Sequence, residues 1–70
     1  MDYLAVIEGE PGNYSACVPD LPGCITVGET ASEIRDNIRE AIAAYLEETT
    51  RRGQRVPAPS TTAITVSAAA

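Results

Sequence analysis

The sequence has no histidine, lysine, phenylalanine or tryptophan, and each gap closes off a kind of chemistry. Without His, Cys17 and Cys24 lack the usual base for nucleophilic attack, and a structural zinc site lacks ligands. With Tyr as the sole aromatic type, the core must be aliphatic, and stacking on nucleic-acid bases is poorly supported. Five arginines stand against ten acidic residues, a net charge of −5 that repels a phosphate backbone and suits a basic protein partner. Direct nucleic-acid binding is therefore not expected. Long apolar runs are missing too. The N-terminal run Leu4–Ile7 is too short for a signal sequence or a membrane span, so the expected location is the cytoplasm. There the two cysteines are expected as reduced thiols that pack as small apolar residues.

No cofactor or metal is expected, and no catalytic group stands out. Asp2, Glu8, Asp20 and Glu29 could gather a divalent cation as ribonuclease-H-type nucleases do, but nothing in their spacing demands convergence, and they read as surface charges. Arg51, Arg52 and Arg55 read as a helix-end feature. "GETASE" offers one Gly before a helix, which is no phosphate-cradling loop.

What is present is a run of short elements. Residues 3–8 read as a strand, "EGEPGN" as a hairpin loop, and 14–18 as the returning strand with Tyr14, Ala16 and Val18 on one face and Ser15 and Cys17 on the other. Pro19 ends it, "DLPG" turns, and 24–27 forms a third strand. "TASE" then places Thr30 at a helix N-cap with Glu33 three residues on. The helix reads to about Arg52. Ile34, Ile38, Ala41, Ile42, Tyr45 and Leu46 form its apolar stripe, Glu47–Arg51 and Glu48–Arg52 are favourable pairs, and Gly53 is a natural stop. After the proline connector 54–60, the β-branched "TTAITVS" reads as a fourth strand over 61–67. The expected fold is α+β, a two-layer β-β-β-α-β domain over residues 1–70, with an antiparallel meander covered on one face by one long helix. The other sheet face is left for a partner. A core this small also favours self-association as a homodimer or homotetramer.

Taken in order, "YSACVPDLPGCITVGET", "NIREAIAAYLEE" and "GQRVPAPS" resemble the HicB-type antitoxin family. The resemblance covers about Tyr3 to Ser60. It rests on Tyr14, the run Val18 to Cys24, Gly28 followed by an acid and Thr30, Asn37-Ile38, Glu40-Ala41-Ile42, and Pro57 with Pro59. It implies a partial ribonuclease-H-like fold and a small RNA-cleaving partner of the HicA toxin type, whose catalytic surface the antitoxin covers. Many such antitoxins carry a further DNA-binding segment, and none is expected here. The resemblance implies no enzymatic activity.

The Asp20–Gly23 turn is at minimum a compact reversal; stiffened by Pro19 and Pro22, it could also present Asp20 and Leu21 to a partner. The expected partner-binding residues are Tyr14, Asp20, Leu21, Pro22 and Gly23. Two other functions compete with the antitoxin reading: an orphan self-assembling domain without a toxin, and a residual metal-dependent nuclease.

Overall fold

The computed structural model describes residues 1–69. Three strands and one helix follow in chain order: β1 Val6–Glu10, β2 Asn13–Cys17, β3 Ile25–Gly28 and α1 Ala31–Arg51. The sheet is antiparallel in the order β1-β2-β3. It is the expected α+β meander followed by one long helix. Against the expected bounds, β1 starts later and the hairpin is tighter. Pro11 and Gly12 alone separate β1 from β2, because Pro presets the first turn position and Gly12, at φ 92°, fits the second. A bond from the Gly12 N–H to the Glu29 carbonyl (2.7 Å) ties this hairpin to the segment entering the helix.

Register fixes the faces. Ile7, Ala16 and Thr26 lie opposite one another, as do Val6, Cys17 and Ile25. Ala16 is buried, so its row faces the helix, and the Val6 row faces away. The core joins Ala16, Val18, Leu21 and Cys24 to Ile34 and Ile38, with Tyr14, Ala41, Ile42, Tyr45 and Leu46 packed around them. This is the predicted apolar stripe on the predicted strand face. The helix lies over β3 and, less extensively, β2, so β1 is left largely uncovered.

Both helix ends are closed by local bonds. Thr30 Oγ1 accepts from the Glu33 N–H (3.0 Å), and Glu33 reaches back to the Glu29 N–H (3.2 Å) rather than to that of Thr30. At the other end the Gly53 N–H bonds Thr50 and the Gln54 N–H bonds Thr49, a Schellman closure that needs the left-handed Gly53 (φ 71°). The ion pairing differs from expectation. Glu48 takes both Arg51 and Arg52, and no Glu47–Arg51 pair forms among the described residues, because Glu48 reaches both arginines from three and four residues away.

The fourth strand expected over 61–67 is not formed. Residues 54–69 carry no strand, and from Thr62 to Ala69 every residue is exposed. A β-branched sequence becomes a strand only against a neighbouring strand, and this segment meets none among the described residues. It leaves the body as an arm. The longest dimension is 48 Å, although a 21-residue helix spans only about 32 Å.

Candidate partner-binding surfaces

The β2–β3 connection consists of two consecutive tight turns. The Leu21 N–H bonds the Val18 carbonyl (3.0 Å), the Cys24 N–H bonds the Leu21 carbonyl (2.9 Å), and the Val18 N–H bonds the Cys24 carbonyl (3.1 Å). This double reversal turns the Leu21 side chain inward, where it is fully buried. A surface role for Leu21 is therefore dropped: its place in the run is to plug the core, because an apolar side chain between two prolines is stabilised by burial rather than display. Pro22 and Gly23 remain exposed and line a groove of about 520 Å³ together with Tyr45 and Glu48 of α1 and Arg52 at its C-cap.

Asp20 has a definite task. Its carboxylate accepts four hydrogen bonds from the chain forty residues later: from the Ser60 N–H (2.9 Å) and hydroxyl (3.0 Å), and from the Thr61 N–H (3.0 Å) and hydroxyl (2.7 Å). The Ser60 N–H, then the Thr61 hydroxyl and N–H, hold the carboxyl well below the usual carboxylate range. Close by in sequence, the Tyr3 hydroxyl donates to the Pro57 carbonyl. These contacts fasten the root of the arm to the body.

Tyr14 lies at the other end of β2, half-buried, beside a smaller hollow of about 280 Å³ shared with Asn13, Val27, Glu29 and Glu33. The five expected contact residues thus divide into two places, roughly 14 Å of strand apart, and one inward plug.

The sheet face away from the helix is the one the sequence leaves for a partner without naming its residues. Val6, Cys17 and Ile25 cross it in one row and Val27 stands beside them; Ile25 is 65% exposed and Val27 67%. Glu8 lies opposite Ser15 in Val27's row, and Glu10 stands beyond, so an apolar centre is flanked by acids. Strand alternation implied this grouping, but only the register could align the three strands.

Cys24 is buried in the core, where burial, and then the nearby Cys17, push its thiol pKa up. That is the packing role expected of it. Cys17 is half-buried on the open face, and neither forms a disulfide. Among the described residues no three His, Cys, Asp or Glu side chains gather as a metal site, and no helix is long and apolar enough to cross a membrane.

Residues 3–69 match the family model described as the HicB-like antitoxin of bacterial toxin-antitoxin systems. The chain belongs to the HicB-like antitoxin family. Among curated relatives, this HicB-like chain is 42% identical over 69 residues to a UPF0150 protein of Thermoplasma acidophilum, covering 97% of the chain and 100% of the relative. A UPF0150 protein of Thermotoga maritima is 42% identical over 48 residues, covering 66% of this chain and 64% of that one. An uncharacterised 14.9 kDa protein from the rep-hol intergenic region of Haemophilus phage HP1 is 37% identical over 57 residues, which span 81% of this chain but 43% of the phage protein. No solved structure matches. Membership in the HicB-like family makes a toxin the kind of partner to be sought for these surfaces.

Proposed function

We propose that this HicB-like chain neutralises a basic, RNA-cleaving toxin of the HicA type in the cytoplasm, acting by occupation of the toxin's active surface rather than by catalysis. The observation that carries the reading is the open sheet face: an apolar centre of Val6, Ile25 and Val27 beside Glu8 and Glu10, in a chain of net charge −5. A dry centre with charged surroundings is how protein interfaces are built, and the charge complements a surface shaped to hold RNA. Pro22 and Gly23 extend the contact at the turn, and at the hairpin end Tyr14, which lies on the helix side of the sheet, adds to it only through the hollow it shares with Val27. Asp20 serves it by fixing the chain beside that turn.

The test is co-expression with the toxin from the neighbouring reading frame, followed by binding measurements on the purified pair. The wild-type chain should restore growth and bind. Ile25→Asp with Val27→Asp should weaken binding at least tenfold with little change in melting temperature, because both side chains are already mostly in water. Unchanged affinity would remove the open face from the proposal. Failure of the wild type to protect cells would remove the proposal itself.

A further inference from the structure

Three features bear on a contact that the antitoxin reading does not use. The first is the arm. From Val56 to Ala69 no residue is charged, in a chain that otherwise repels its own copies. Ile64 and Val66, two apart and so on one side of an extended chain, are 81% and 74% exposed. The second is the anchored root: four bonds to Asp20 fix Ser60 and Thr61, and Pro57 and Pro59 stiffen the approach. This root directs the arm off the body. The radius of gyration, 13.9 Å, exceeds the roughly 11 Å of a rounded domain of this length.

The third feature is an edge. Of the two sheet edges, that of β3 lies beside the helix, and its Val27 carbonyl is taken by the Asn37 amide (2.8 Å). The edge of β1 has no strand beside it among the described residues. The bond from the Val18 N–H to the Cys24 carbonyl and the outward Val27 carbonyl together set the alternation of the ladder. By that alternation Ser15 bonds toward β1, so its partner Glu8 bonds inward while Ile7 turns its N–H and C=O to the open side. The Ile7 side chain is on the helix side of the sheet, opposite buried Ala16, yet it is 44% exposed because the helix stops short of β1.

We propose that the arm, Thr62–Ala69, adds as a strand to the free edge of β1 in a second copy of this chain, and that the exchange is reciprocal. The arm gains the ladder its β-branched residues require, Ile64 and Val66 cover the exposed Ile7, and β1 loses its open edge. Charge selects the occupant. Direct pairing of two β1 edges would bring Glu8 and Glu10 of both copies together, whereas the uncharged arm approaches this acidic strand without repulsion. A two-fold exchange closes on itself and doubles the area one arm buries, toward the ~1,600 Å² typical of stable pairs. The toxin-facing sheet surface stays free, and no toxin is needed for the test.

The experiment compares full-length variants by light scattering and sedimentation from micromolar to several hundred micromolar. The wild type should be a dimer or a multiple of one. Ile64→Asp with Val66→Asp should raise the dissociation constant at least tenfold at an unchanged helical signal, since these side chains are mostly exposed in the single chain. Ile7→Pro, which removes the outward N–H of β1, should do the same; if it loses its helical signal, Ile7→Lys takes its place. An equal mixture of the arm variant and the edge variant should then form a one-armed heterodimer, weaker than wild type, because the intact arm of one meets the intact β1 of the other. A monomeric wild type, an arm variant that dimerises normally, or a mixture of folded variants that stays monomeric would overturn the proposal.

Discussion

Asp20 shows how one side chain can be misjudged from local context and still matter. In sequence it is the polar corner of a turn; in the fold its two oxygens take four bonds from Ser60 and Thr61. Because its folded pKa is depressed, the stabilisation is in place above the unfolded carboxyl value of about 4 and is lost as pH falls through the lower folded value. Hydrogen exchange at Ser60 and Thr61 should accordingly show protection that persists from neutral pH to about 4. It should fade only in stronger acid, and Asp20→Asn should weaken it already at pH 7. Gly28 answers to space instead. A Cβ there would meet the backbone of Ile34 at 3.0 Å, where the helix begins over the sheet. Gly28→Ala should cost about 1–3 kcal/mol, read as a lowered melting temperature, because the helix must back away from β3. The thiols divide by burial: with Cys24 sealed in the core and its pKa raised, alkylation of the native protein should mark Cys17 first. Labelling of Cys24 before Cys17, located by peptide mass, would contradict that order.

At the scale of elements, the helix is where sequence and structure agree most closely, and the reason is that its signals are local. Thr30 and Glu33 are three residues apart, the apolar stripe repeats every three or four, and left-handed Gly53 lets the end close, its own N–H bonding Thr50 and that of Gln54 bonding Thr49. Thr30→Ala should cost about 1 kcal/mol of unfolding free energy. Gly53→Ala should cost about 1–2 kcal/mol, since an L side chain at that left-handed position is strained. Chemical denaturation measures both. The arm is the opposite case. Its β-branched residues give the same signal as those of a true strand, but whether they pair depends on what lies beside them, and among the described residues no strand does.

For the whole molecule, a net charge of −5 sets how copies and partners meet. The association rate with a basic toxin should fall as salt rises, while the arm-mediated dimer, built on uncharged residues, should hold or tighten with added salt because its copies repel less. Stopped-flow and sedimentation series in sodium chloride would read the two slopes. The absence of His and Lys, the acidic balance, the helix with both its ends, the alternation of Tyr14, Ala16 and Val18, and the resemblance carried by the Val18–Cys24 run were all determined by sequence alone, since each depends on composition or on neighbours within a few residues. Only the tertiary structure could decide that Leu21 plugs the core, that Asp20 clamps a segment forty residues away, that Val6, Cys17 and Ile25 share a row, and that 62–67 is left exposed beyond the clamp. Each of these depends on register and on contacts between distant parts of the chain, and neither periodicity nor propensity encodes which distant residue will be opposite.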